Sequence, residues 1–184
     1  MTKYLAASVL ALGATLLVPA VAQARDHTPH WSAAGLVGYG FEDYSNFGLG
    51  ARIGYSLRNN IYLGGLFQYH FGETNDAGIG GFGVETHANV YYFGFEGGYD
   101  FHIDDVVIRP YLGLGPGFEH ASVEGNSPLG GGKTSDTNSE FAFWFGGAVL
   151  YNIDDTWFIG GDFRLPIIDG DVYPTLAFTG GLNF

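Results

Sequence analysis

The chain has no cysteine, so it forms no disulfide and carries no lipid on a cysteine behind an export signal. It is also poor in charge. Charged residues make up 14% of it, against about 25% in ordinary soluble chains. Cations are scarcest: 7 Lys and Arg stand against 19 Asp and Glu, a net charge of −12. That balance repels phosphate and excludes nucleic acid as a partner. Past the N-terminus, no stretch approaches the ~20 consecutive apolar residues of a spanning helix. Helical periodicity is nearly absent as well. What is present is glycine, at 31 of 184 residues, and aromatics, at 17%. A chain so aromatic and so weakly charged needs an apolar environment that is not its own core.

The opening MTKYLAASVLALGATLLVPAVAQA sets Lys3 before an apolar run and ends on the small-residue cleavage site Ala22-Gln23-Ala24. Residues 1–24 are expected to be a cleaved signal peptide, and residues 25–184 a single domain. Within that domain, period-2 alternation of apolar with small or polar residues runs through eight segments. They are 31–41, 46–57, 61–71, 87–101, 106–118, 140–151, 157–165 and 172–184. Such lengths suit tilted strands crossing a bilayer. The connections at 58–60, 102–105 and 152–156 are tight and polar. Those at 72–86 and 121–139 are long and rich in Gly, Ser, Thr, Asn and Asp, and 42–45 and 166–171 fall on the same side. Backbone groups in lipid must all be paired, so the sheet has to close. The expected fold is all-β: an eight-stranded antiparallel up-and-down transmembrane β-barrel, with its short turns in the periplasm.

Residues 46–57, NFGLGARIGYSL, show how such a wall divides its faces. Phe47, Leu49, Ala51, Ile53, Tyr55 and Leu57 alternate with Gly48, Gly50, Arg52, Gly54 and Ser56. The apolar face would meet lipid and the glycine face the lumen, because an arginine near the midplane on the lipid side costs roughly 2–4 kcal/mol. An eight-stranded lumen is only wide enough for side chains, so small residues make room for a few long ones. The inward parity offers Glu96 and Asp162 as partners for Arg52. It adds Arg109 and Arg164 as cations, and Glu119 and Glu140 as anions nearer the outer mouth. Such a network is a plug if tightly paired and the lining of a narrow pore if loose and wet.

Several stretches carry this pattern beyond generality. They are Arg109-Pro110-Tyr111-Leu112-Gly113-Leu114-Gly115, the Phe141-Ala142-Phe143 strand leading to Gly146-Gly147 and Asn152-Ile153-Asp154-Asp155, and the ending LAFTGGLNF. Through them the whole mature chain resembles the small outer-membrane β-barrel proteins of the OmpA, OmpX and opacity type, the outer membrane beta-barrel domain family. The resemblance implies an integral protein of the bacterial outer membrane, with outer-membrane lipid and lipopolysaccharide as surroundings. It implies that the last strand, through Phe178, Gly180, Leu182 and Phe184, is read by the barrel-assembly machinery. It implies a structural, surface-interaction or adhesion role in the long loops, with a narrow passive pore as the alternative. No cofactor, metal or enzymatic activity is expected, and the barrel is expected to be a monomer.

Other motifs are weaker. His120-Ala121-Ser122 resembles the His-x-Ser pair of PagL-type lipid A deacylases, with Glu119, Glu124 or Glu140 available as the acid. Val123 follows the pair where that family usually has Asn. Leu129-Gly130-Gly131-Gly132-Lys133-Thr134 ends like a phosphate-binding loop, but Ser127 stands where the first glycine belongs. Asp26-His27-Thr28-Pro29-His30 reads as a short tail before the first strand rather than a metal site. The outward acids Glu73, Asp76, Glu85, Glu124, Asp136, Asp169 and Asp171 could bridge Ca²⁺ to lipopolysaccharide but read more plainly as solvated loops. Removing Phe184 is expected to lower outer-membrane levels of the protein while leaving synthesis unchanged. Immunoblots of membrane and whole-cell fractions check it, and normal membrane levels would contradict it.

Overall fold

The computed structural model describes residues 28–41, 46–79, 82–126 and 132–184, with side chains described outside 73–88 and 123–133. The expected leader at 1–24, residues 26 and 27, the expected connection at 42–45, and residues 127–131 lie outside the described residues. The chain runs β1 (His30–Gly40), β2 (Phe47–Ser56), β3 (Ile61–Ile79), β4 (Phe82–Tyr99), β5 (Phe101–Ile103), β6 (Val106–Asn126), β7 (Gly132–Asn152), β8 (Trp157–Ile168), β9 (Asp171–Val172) and β10 (Thr175–Asn183). β5 continues the line of β4 past Asp100, both pairing with β6. β9 is a short return onto β8 at the outer mouth. The other eight form one antiparallel ring, closed where β10 pairs with both β1 and β8. Closure reaches the last residue: Trp31 N–H donates to Phe184 O and Phe184 N–H to Trp31 O, both at 2.8 Å.

The two faces are inverted relative to a water-soluble barrel. Phe95 is 78% exposed, and Ile53, Leu63, Leu112, Val149 and Phe178 also point outward and are exposed. Arg52, Glu96, Asp162 and Arg164 are buried inside. Lipid explains this arrangement and water does not. Aromatic rings collect at both rims. Trp31 packs on Tyr55 at 5.1 Å near the short turns, and Tyr91 stacks on Phe118 at 4.8 Å near the long hairpins. Turns are tight where Asn60, Asp104, Asp169 and Gly170 adopt positive φ, residues that tolerate it.

The structure departs from the sequence-based expectation in two connections. Segments 72–86 and 121–139 are expected as loops, yet most of each continues as paired strand. β3 and β4 stay in register from Thr74↔His87 to Ile79↔Phe82, after an irregularity between Phe71 and Thr74. β6 and β7 stay paired as far as Gly125↔Gly132, and β4 joins β6 up to Gly83↔Asn126. Alternation marks a strand only where its faces meet different surroundings. Beyond the lipid both faces meet water, so the pattern fades while the backbone ladder goes on. The result is a four-stranded extension, β3–β4–β6–β7, standing on one side of the barrel mouth.

Candidate functional site

The lumen holds the chain's concentration of buried charge. In its middle tier Arg52 on β2 meets two strands that do not neighbour its own. Its Nε lies 2.8 Å from Glu96 Oε2 on β4 and its Nη1 2.9 Å from Asp162 Oδ2 on β8. Arg164, two residues beyond Asp162 and on the same face, reaches Asp162 Oδ1 at 2.8 Å. Tyr111 O–H donates to that oxygen at 2.8 Å and accepts from Arg164 Nε at 3.0 Å. Trp144 Nε1–H donates to Glu96 at 3.0 Å. The guanidinium of Arg52 also lies over the Tyr111 ring, 4.7 Å from its centroid.

A second tier sits nearer the short turns. Arg109 donates to both carboxylate oxygens of Asp100, at 2.5 and 3.0 Å, and lies 3.7 Å over the Tyr62 ring. Ser56 O–H completes it, donating to Asp100 at 2.7 Å. Across the two tiers three arginines meet three carboxylates, so the buried charge cancels. Side-chain exposures of Arg52, Glu96, Asp162 and Arg164 are 4%, 0%, 1% and 1%. Burying single charges there would cost several kcal/mol each, about what paired and hydrogen-bonded geometry offsets.

Glycine is what makes this packing fit. Several bulky inward side chains lie against a glycine of their own or a neighbouring strand. Tyr62 covers Gly54 and Gly64, Gln68 covers Gly50, His70 covers Gly48, Trp144 covers Gly113 and Tyr111 covers Gly146. A β-carbon at Gly113 would overlap the Trp144 indole. The bare face of β2 is the bed on which β3 side chains rest.

The network brings together Arg52, Glu96, Asp162 and Arg164, and sets Arg109 apart in the lower tier. Glu140 shares the inward parity of Ala142 and Trp144 but is exposed at the mouth, beyond where β8 pairs with β7. Glu119 is at that mouth too, accepting from Tyr173 O–H at 2.7 Å. Sequence reasoning overlooked Asp100, Trp144 and Tyr92. Asp100 continues the even-numbered inward series of Glu96 and Gly98, so parity was a usable signal, but its place at a strand end reads as turn. Phe178 and Leu182 face outward, opposite Val37 and Ala33 of β1, and Gly180 lies opposite Gly35. His120 pairs its Nδ1 with Thr137 Oγ1 at 2.7 Å across to β7, so the histidine of the His-x-Ser segment is tied to a hydroxyl there rather than to a carboxylate. No cluster of metal-ligating side chains occurs among the described residues.

The comparisons agree with this architecture. Residues 8–184 match the outer membrane protein beta-barrel domain. The chain belongs to that family. It is an integral outer-membrane protein. Its fold is similar to Ail, the attachment invasion locus protein of Yersinia pestis, at 16% identity and TM-score 0.55, over 85% of this chain and 97% of that one. It is similar to Neisserial surface protein A at 18% identity and TM-score 0.54, over 84% and 95%. A major outer membrane protein from Thermus thermophilus gives 12% identity and TM-score 0.58, over 86% and 100%. No curated protein sequence matches the chain significantly.

Two substitutions test the packing. Arg52→Leu strands Glu96 and shifts urea unfolding by about 3–5 kcal/mol, whereas Arg58→Leu, at an exposed turn, stays within about 0.5 kcal/mol; equal effects would remove the pairing argument. Gly113→Ala is expected to destabilise by about 1–3 kcal/mol through overpacking against Trp144. Gly97→Ala, with open space around its Cα, is the neutral control in the same titration.

Proposed function

We propose that this outer-membrane barrel acts at the cell surface, through the sheet that rises from its mouth rather than through its lumen. The observation that supports the reading is the four-stranded extension, where β3, β4, β6 and β7 outlast their pairing to the rest of the barrel. β2 leaves β3 at His70, and β8 leaves β7 at Phe143. A wall alone needs no such continuation. The buried ion pairs favour a plug over a conducting pore, since a water path would expose the charges that line it.

In this reading the first 24 residues are removed on export, assembly machinery engages β10, and the barrel works as a monomer in lipid and lipopolysaccharide. Adhesion to another cell or to neighbouring surface molecules is the role the extension suits. Vesicles carrying the refolded chain are expected to be retained on monolayers of animal cells or lawns of bacteria. A variant with 73–88 and 121–139 replaced by short turns should lose that retention. Planar bilayers with the intact chain should be electrically silent. Steady conductance that changes in Arg52→Ala, or retention that survives the trimming, would overturn the proposal.

A further inference from the structure

Two prolines stand inside β6, and each removes a hydrogen-bond donor from the barrel wall. The register locates the loss. Tyr91 pairs with Phe118 and Phe95 with Leu114, so Pro116 stands opposite Phe93. Gly98 pairs with Tyr111 and Phe101 with Ile108, so Pro110 stands opposite Tyr99. Asn152 N–H donates to Asp105 O, which makes odd-numbered residues of β6 the ones that bond toward β7. Even-numbered residues, both prolines included, turn their nitrogens toward β4. A proline nitrogen carries no hydrogen, so the carbonyls of Phe93 and Tyr99 have no ladder donor. Pairing between β4 and β6 lapses at Phe93 and Gly94, opposite Gly115 and Pro116. A β-carbon at Gly115 would overlap Phe93 O, so a Cα–H is what faces that oxygen, and it is a far weaker donor.

The two carbonyls differ in depth. Tyr99 belongs to the aromatic rim by the short turns, packed on Phe101 at 4.8 Å, where interfacial water reaches its backbone. Phe93 lies two residues inside the outer rim, which Tyr91 and Phe118 mark. Two strand residues rise about 6.6 Å, or about 5 Å along the membrane normal at a tilt near 40°. Phe93 O is therefore below the headgroups, among the first carbons of the acyl chains. An unsatisfied carbonyl is costly there, because no water stands in.

The surroundings select the donor. The lumen at this level is filled by Tyr92 and Trp144, both buried and packed at 5.3 Å. On the lipid side the seam opens onto an apolar hollow of about 1100 Å³, walled here by Phe93, Phe95, Leu114 and Pro116 and continuing over Gly65 and Ala51. An apolar hollow with one orphan acceptor fits a hydrocarbon chain that carries one donor. A plain acyl chain has none. A hydroxyl on an early carbon of the chain sits at the depth of Phe93 O. We infer that the seam between Phe93 and Pro116 binds an outer-leaflet lipid with a hydroxylated acyl chain, whose hydroxyl donates to Phe93 O while the chain lies in the hollow. The site is below the extension and does not depend on the surface role proposed above.

The test uses the chain without residues 1–24, refolded into phosphatidylcholine nanodiscs. The probe is a phosphatidylcholine with a 3-hydroxymyristoyl chain, and its myristoyl counterpart is the control. Labelling with 1-¹³C phenylalanine and ¹⁵N glycine restricts the carbonyl NMR signals to Phe–Gly pairs, and Phe93→Leu assigns the one from Phe93. The hydroxylated lipid is expected to move that signal downfield and raise the midpoint of the heat-dependent gel shift, and the control lipid to do neither. Pro116→Ala restores the ladder N–H. It should move the signal downfield in either lipid and abolish both responses to the hydroxyl. A signal already downfield in the control lipid would mean that water from the lumen satisfies the carbonyl, and would overturn the inference. Equal effects of the two lipids would mean general solvation by the bilayer and overturn it too, as would a response that survives Pro116→Ala.

Discussion

In hydrocarbon there is no water to satisfy a backbone N–H or C=O, and everything else here follows from that. Every strand of the ring has to be paired on both sides, and each is, down to the reciprocal bonds between Trp31 and Phe184. Once the sheet closes on eight strands, its lumen is narrow, and every inward side chain competes for the same space. The glycines opposite Tyr62, Gln68, Trp144 and Tyr111 are the consequence of that competition. The apolar outward residues are the consequence of the solvent.

Charge is handled under the same constraint. Three arginines inside a narrow tube are tolerable only because three carboxylates and several hydroxyls reach them, the Trp144 indole holding one of those carboxylates in turn. The partners come from different strands, so the network ties β2, β4, β6, β7 and β8 together through the middle of the barrel. A buried pair adds little to stability over a well-packed apolar pair, but breaking one is costly. The network therefore acts chiefly as a specification of register: a strand slipped by one residue would turn its charge into the lipid.

Above the membrane the same strands meet different physics. Water surrounds both faces, so no side-chain pattern is enforced and the edge groups can be solvated. Among the described residues nothing pairs with the outer part of the β7 edge, which keeps a regular register with β6. The lipid-bound part of the molecule is over-determined by its solvent, and the exposed part is set by pairing alone.

That contrast explains what could be read in advance. The alternation of Phe47 to Ser56 or Val106 to Phe118 reports a wall between two media, so strand number, parity and the inward place of Arg52, Glu96 and Asp162 were legible residue by residue. Asp100 was legible in parity but hidden by its position at a strand end. The extensions of β3, β4, β6 and β7 were not legible, because a strand wet on both faces leaves no periodic trace. The sequence by itself determined the barrel, its two faces and the inward place of the mid-strand charges Arg52, Glu96 and Asp162, since those are imposed locally by solvent on each strand. Only the tertiary structure decided which charge meets which, and that β7 ends in an open edge. Both depend on strands distant in sequence being brought into one register.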